Sequence, residues 1–331
     1  MTSGIAVWTL GNHAKRNLLP AIAASPSWHL AGVYSRNVDA ANHVAAEYGV
    51  TTYKTPEAML ADNAVTAVVI AGPNGVHFAQ AMAAISAGKH VFVEKTLAPS
   101  LDEVTALVRA SEQAGVVLAE CFMYRHHEQF RVLRELLRTG SLGPVRSITA
   151  RFGFPHLADS DIRYSRALAG GALNDAGAYC ISASLALMDS MPIAVSGALS
   201  SPEGHEVDTQ GGALLEFADG ATAHCDWGFG RAYSNQIELW LRDAMVSVER
   251  AFSKPADLIT SIRVLHQREN RVEVLEVPAD NHFVRMFEAL AAATRERVLA
   301  DVLRRELQAQ AVVMHSVRSP DTHCAHGALP G

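Results

Sequence analysis

The 331-residue chain is short of several things, and each shortage excludes a class of protein. Its four cysteines, at 121, 180, 225 and 324, lie far apart with no CxxC pair. Neither a zinc knuckle nor a disulfide framework is therefore encoded. Cys121 and Cys180 stand among apolar residues and read as small buried hydrophobes. The histidines show no HExxH or comparable spacing, and adjacent His126 and His127 would point apart on any regular element, so no metal is expected. Charged residues make up only 19 %, and 28 basic against 34 acidic side chains leave a net charge of −6. That balance argues against general affinity for nucleic acid or anionic lipid. No apolar run approaches the roughly 18 residues of a membrane helix. The first residues lead straight into a strand-like segment, without the regions of a signal peptide, and the expected location is the cytoplasm. Repeats and low-complexity tracts are missing too. What is plentiful is apolar side chain, 49 % of residues, ample for the core of one large domain or two.

Short apolar runs and Ala-rich helical stretches alternate up to residue 122. Strands are expected at 5–10, 30–34, 67–71, 90–93 and 116–122, with helices at 15–24, 38–48, 56–61, 76–87 and 101–113. Ser100 and Glu103 form a capping box for the last helix, and Gly88 and Gly115 follow helices where left-handed residues belong. Repeated βα units imply an α/β fold whose N-terminal Rossmann domain, residues 1–122, is a doubly wound parallel sheet.

Beyond 123 the pattern changes. Helices are expected at 127–139, 172–188, 282–294 and 298–315, and strands at 145–152, 193–200, 211–217, 222–229, 236–242, 245–249, 261–266 and 272–277. Asp219-Gly220 is a hairpin signal. Residues 123–331 are expected to form an α+β domain on a large, mostly antiparallel open sheet, with a tail at 316–331 lacking regular structure.

The first βα turn reads Thr9-Leu10-Gly11-Asn12-His13-Ala14. Aligned to G-x-G-x-x-G/A, Thr9 stands at the first glycine, while Gly11 and Ala14 satisfy the second and third positions. The turn suits a pyrophosphate at a helix N-terminus. It equally suits a strand-to-helix turn that needs one flexible residue. After the second strand comes Ser35-Arg36-Asn37, with no acid before Asp39. A hydroxyl and a guanidinium there fit the 2′-phosphate of NADP better than a bare ribose diol, unless Arg36 is simply a solvated loop residue. The fourth strand ends in Glu94-Lys95-Thr96, where a lysine is suited to hydrogen-bond a carbonyl or hydroxyl during hydride transfer. Alone, such a lysine would more often pair with its neighbouring glutamate. Further on, Gly170 and Gly171 precede a helix on which Asp175 and Tyr179 share one face, with Ser182 near it. A carboxylate and a phenol projecting together make a proton-delivery pair, although a first-turn aspartate is usually there for the helix dipole.

Taken in order, these segments resemble the Gfo/Idh/MocA oxidoreductases over residues 4 to 318. The resemblance rests on Gly11–Arg16, Ser35–Asn37, Ala71-Gly72-Pro73-Asn74-Gly75-Val76-His77, Glu94-Lys95, Glu120-Cys121-Phe122-Met123-Tyr124-Arg125 and Gly171–Tyr179. It implies a Rossmann domain that binds NADP(H), with NAD(H) as the alternative. Thr9, Leu10, Gly11, Asn12, His13, Ala14, Ser35, Arg36, Ala71, Pro73, Asn74, His77, Glu94 and Lys95 line the cofactor. Lys95, Asp175 and Tyr179 are the implied catalytic residues. Tyr124, Arg125, Arg163, Tyr179 and Tyr233, and beyond them His156 and Asn235, are candidates for the substrate. Tyrosine at 179, where inositol dehydrogenases carry histidine, is similar to the glucose–fructose oxidoreductase, dihydrodiol dehydrogenase and sugar ketoreductase branches.

The implied activity is hydride transfer between nicotinamide and a sugar or nucleotide-sugar carbon, in the ketoreductase direction. An aldose or dihydrodiol dehydrogenase running oxidatively is the alternative within the class. A nucleotide-binding sensor without turnover, or a hydrolase using bound NAD, lies outside it. The resemblance also implies a homodimer or homotetramer formed through the C-terminal sheet. Two departures stand out: Thr9 replaces a glycine, and Thr96 replaces the proline that would fix φ after Lys95.

Overall fold

The computed structural model describes residues 2–319. The chain divides into two compact units: one runs to His126 and resumes at Asn281–Gln308, and the other comprises His127–Asp280 and continues from Ala309.

In the first unit β1 (Ser3–Trp8) leads through a wide π-type turn (Ala14–Leu18) into α1 (Leu19–Ala23). Then follow β2 (Trp28–Tyr34), α2 (Val38–Tyr48), β3 (Thr51–Thr52), α3 (Pro56–Ala61), β4 (Ala67–Ile70), α4 (Asn74–Ser86), β5 (His90–Val93), α5 (Leu101–Ala114) and β6 (Leu118–Glu120). All six strands are parallel, in the order β3-β2-β1-β4-β5-β6. Helices cover both faces of such a sheet, which is why β4 is apolar and buried at every position, Ala67 to Ile70. Order reverses between β1 and β4, and doubly wound sheets bind ligands off the strand ends beside that reversal. The capping box is present: Ser100 Oγ accepts from Glu103 N–H and the Glu103 carboxylate accepts from Ser100 N–H.

The second unit begins with α6 (Glu128–Arg138) and β7 (Val145–Phe154). A second π-type turn (Leu173–Gly177) then runs into α7 (Ala178–Met188). The remaining strands are β8 (Ala194–Ser200), β9 (Gln210–Glu216), β10 (Thr222–Phe229), β11 (Ser234–Leu241), β12 (Ala244–Glu249), β13 (Thr260–His266) and β14 (Arg271–Val277). They form one sheet, β14-β13-β12-β11-β7-β10-β9-β8, antiparallel except for the β7–β10 pair. Helices α6 and α7 pack on one face of it. Asp219-Gly220 makes the β9–β10 hairpin, with Gly220 at φ +83°. Two helices close the chain, α8 (His282–Ala293) and α9 (Arg297–Arg318).

Several expectations change. The helices expected at 15–24 and 172–188 are not uniform, because each opens as a π-type turn before the α winding. Pro20 is the second residue of the α portion of the first and has no N–H for the preceding turn. The strand expected at 116–122 is only Leu118–Glu120, and the two-residue β3 has no strong sequence signal. Residues 281–308 cluster with the first unit rather than with the rest of 123–331, since α8 packs on α1 and on the turn Met123–His126. Helix α9 extends to Arg318, past the start of the expected tail; the rest of that tail, with Cys324, lies outside the described residues. Cys121, Cys180 and Cys225 are free and buried. Among the described residues no helix is long and apolar enough to cross a membrane.

Candidate active site

In the first unit the candidate residues sit where successive parallel strands end. Each strand hands a hydrogen bond to the next: Thr9 N–H to Tyr34 O (2.8 Å), Ala71 N–H to Trp8 O (3.0 Å), Glu94 N–H to Ile70 O (2.9 Å) and Cys121 N–H to Val93 O (2.8 Å). Thr9, Ala71 and Glu94 are thereby fixed along one sheet edge.

Thr9 adopts φ +82°, the left-handed region open to glycine and costly for a β-branched residue, on the order of 1–2 kcal/mol. The turn demanded of the missing glycine is thus made by threonine under strain. Two residues on, Gly11 is exposed, and no protein atom lies within 4 Å of the place a Cβ would take. Backbone can be approached closely there. Leu10 and Ala14 are buried, while Asn12 and His13 open the helix. Open space at Gly11 beside a helix start fits a dinucleotide pyrophosphate.

His13 accepts from Asn17 Nδ2 at Nδ1 (3.0 Å), so its Nε2 donates to Glu94 (3.1 Å). Burial pushes the Glu94 carboxyl upward, but His13 and Lys95 outweigh it and hold the group below the usual carboxylate range. Ser35 Oγ accepts from Asn37 N–H, and Asn37 caps α2 through Ala40 N–H (3.0 Å). Arg36 is exposed and makes no hydrogen bond or ion pair with the described residues. Pro73 and Asn74 begin α4.

His77 stands near the start of α4. It is fully buried, and its two ring nitrogens meet main-chain carbonyls, Nδ1 that of Thr96 (2.7 Å) and Nε2 that of Gly72 (2.9 Å). Lys95 follows β5, and the Lys95–Thr96 peptide is cis. Thr96 is buried with its hydroxyl unpaired. Glu120, the last residue of β6, accepts from Leu97 N–H (2.9 Å). Burial pushes its carboxyl up to about 7, with the Leu97 N–H, Lys95 and Arg125 pulling the other way. Two substrate candidates are spoken for here. Tyr124 has no exposed surface, and the Arg125 guanidinium is paired with Glu306.

In the second unit Asp175 lies in the π-type turn and Tyr179 in the first turn of α7. Tyr179 is buried edge-on to Phe152 (5.3 Å between ring centres) and tilted against Phe252 (5.6 Å). Two aromatic walls fix the phenol ring's plane. Arg163, a substrate candidate, donates to Asp175 Oδ2 (2.7 Å) and to Asp161 Oδ1 (3.1 Å). A charge-assisted bond of that length holds the Asp175 carboxylate in place. Ser182 is buried.

The glycines before this helix serve the chain itself. A Cβ on Gly170 would stand 2.3 Å from Arg163 O, and one on Gly171, at φ +109°, 2.3 Å from Asp208 Oδ1. Asp208 caps the turn by accepting from Leu173 N–H (2.7 Å). Gly177 presses on the Trp227 ring, where a Cβ would come within 2.8 Å. Asn235 is buried and donates to Ser253 O (2.8 Å) while accepting from Phe252 N–H (2.7 Å). Tyr233 is exposed, with Arg250 stacked over its ring at 4.8 Å, and His156 lies 3.4 Å from the Tyr164 hydroxyl.

The chain also matches known proteins over both halves. A family model described as an oxidoreductase family with an NAD-binding Rossmann fold matches residues 4–122, and the GFO/IDH/MocA C-terminal domain matches 130–247. The chain is 33 % identical over 293 residues to a dTDP-3,4-didehydro-2,6-dideoxy-alpha-D-glucose 3-reductase of Saccharopolyspora spinosa, covering 88 % of this chain and 87 % of that one. It is 34 % identical over 295 residues to a D-xylose 1-dehydrogenase (NADP(+)) of Haloferax volcanii, covering 88 % and 86 %. Among solved structures, the 3-ketoreductase KijD10 of Actinomadura kijaniata, in complex with NADP and TDP-benzene, superposes with a TM-score of 0.90. The sequence identity is 28 %, and the match covers 97 % of this chain and 98 % of that one.

Proposed function

This chain belongs to the GFO/IDH/MocA family of oxidoreductases, and from its residues we infer an NADP-dependent reductase of a sugar ketone carried on a nucleotide. The observation that carries the reading is the pair on the 173–188 helix: a tyrosine held between aromatic rings and a carboxylate held by Arg163 four residues before it. Bound NADPH supplies the hydride. Tyr179 gives its phenolic proton to the substrate oxygen, and Lys95 polarises the carbonyl and supports ionisation of the phenol. Asp175 orients the reacting group. With Arg163 on its carboxylate, it serves as a fixed acceptor rather than as the acid. Gly11 and the helix that follows it receive the pyrophosphate, and Ser35 with Arg36 receives the 2′-phosphate. The 3-reductase relatives support the nucleotide-sugar substrate.

The xylose dehydrogenase relative supports a second, oxidative reading on a free aldose. Spectrophotometry of the nicotinamide separates the two. Oxidation of NADPH by dTDP-3,4-didehydro-2,6-dideoxy-α-D-glucose, without reduction of NADP by D-xylose, is the expected outcome. The reverse pattern transfers the chain to the aldose dehydrogenases, and NADPH binding with neither turnover makes it a sensor.

We also propose that a second copy covers the open face of the large sheet. Trp240, 65 % exposed, begins a cross-strand row with Met245, Leu265 and Val272, and exposed Val274 lies beside it. An exposed apolar row of this extent on one sheet face marks an association surface. Trp240→Glu is expected to convert a dimer or tetramer into a monomer in light scattering at micromolar concentration. A monomeric wild type would remove the interface.

A further inference from the structure

The stretch after Lys95 has lost its sheet. The last ladder bonds of β5 are those of Val93 and Glu94, and 94–100 has no regular structure. A lysine side chain has four flexible carbons, so the position of its ammonium depends heavily on the backbone that launches it. Thr96, unlike a proline, does not fix that backbone through a ring.

One peptide in this stretch is nevertheless held on both sides. The carbonyl of Thr96 is met by His77 Nδ1 at 2.7 Å, and the N–H of Leu97 donates to the Glu120 carboxylate at 2.9 Å. These two groups belong to the same peptide unit. Its carbonyl is gripped from α4 and its amide from the end of β6. Burial favours the neutral His77 ring, whose single N–H serves the shorter contact, to Thr96 O, while Nε2 lies 2.9 Å from Gly72 O at the turn after β4. Glu120 is fixed in register opposite Val93, two residues before Lys95. The Leu97 side chain is buried as well. Thr96–Leu97 is thus tied to α4 through His77 and to the paired ends of β5 and β6 through Glu120.

We propose that His77 and Glu120 are positioning residues for Lys95, clamping the Thr96–Leu97 peptide so that the lysine is launched from a fixed backbone. Neither touches substrate in this account. Each acts through one hydrogen bond to the main chain, and the assignment rests on the reductase reading above.

Four variants test it: Glu120→Leu and His77→Leu, which remove the bonds, and Glu120→Gln and His77→Gln, which keep an amide able to accept from Leu97 or donate to Thr96. Turnover is followed with NADPH and dTDP-3,4-didehydro-2,6-dideoxy-α-D-glucose. NADPH affinity is measured by fluorescence, and exchange of the Leu97 amide by mass spectrometry. Each leucine variant is expected to lose roughly 10- to 100-fold in kcat, with KM and NADPH affinity within about threefold of wild type. Leu97 exchange should accelerate in Glu120→Leu. Both glutamine variants should recover most of kcat, which a merely structural loss would not allow. Wild-type kcat in Glu120→Leu, or Leu97 exchange unchanged in it, overturns the clamp. If a leucine variant fails to fold, Glu120→Gln decides: a loss as large as tenfold shows that charge rather than the bond to Leu97 is needed, and the clamp falls. An inactive wild type sinks the reductase reading instead, and Leu97 exchange then still decides whether Glu120 holds the peptide.

Discussion

Lys95→Ala and Tyr179→Phe are each expected to cut turnover by at least about a hundredfold while NADPH affinity stays within about an order of magnitude. Removing a proton donor or the group supporting it costs on the order of 10²–10⁴ in rate, about 3–5 kcal/mol of barrier. The phenylalanine change is the cleaner test. It deletes one oxygen and leaves the ring between Phe152 and Phe252, so the packing of α7 is kept. Lys95→Ala removes a charge from the neighbourhood of Glu94 and Glu120, so its thermal stability should be recorded beside its rate. The double variant should lose less than the sum of the two free energies, as groups acting as a unit do. Near wild-type rates in both single variants would end the acid–base assignment.

The next largest effect is expected at the cofactor. Arg36→Ala should weaken NADPH binding by about 10- to 100-fold, the worth of one charge-assisted hydrogen bond of about 1.5–3 kcal/mol. NADH, which has no 2′-phosphate, should bind almost as before. Because Arg36 is exposed and pairs with nothing in the described protein, its removal should leave stability within about 0.5 kcal/mol. Loss of NADPH affinity can then be read without a folding correction. Titration of both nucleotides against the variant by fluorescence gives the answer, and equal losses take Arg36 out of the ribose site.

Much of the scaffold could be read from the sequence because its signals are local. Ser100 and Glu103 announce a helix start three residues apart, Asp219-Gly220 announces a hairpin, and the fully apolar run 67–70 announces a strand covered on both faces. The cofactor edge followed from the same logic, since parallel strands end on one side. What stayed hidden is who meets whom across the chain. No local pattern says that Arg163 meets Asp175, 2.7 Å away, or that both ring nitrogens of His77 face main-chain carbonyls. Gly170 and Gly171 likewise give no sign in the sequence of what presses on them, which is Arg163 and Asp208 of the same chain. The periodicity of α8 shows that it has a buried face, but not which unit buries it. The winding of a turn as π rather than α leaves no residue-type signal at 173–177, and only Pro20 hints at it in the first unit.

The place of β7 in its sheet has a consequence for how the chain is made. Both of its neighbours, β10 and β11, come later in sequence, after residues 155–221. The strands from β8 to β10, and those from β11 to β14, can pair with a sequence neighbour as they emerge, whereas β7 cannot. At a synthesis rate of about 5–20 residues per second, it leaves the ribosome several seconds before its first partner exists. The first unit must wait longer still, because Asn281–Gln308 completes it only after the whole second sheet has been translated. Non-local closure of this kind slows folding, and an unpaired strand is a template for wrong pairing. The strand that ends up at the centre of the finished sheet is the one left longest without a partner, so misassembly of the nascent chain would start at Val145–Phe154.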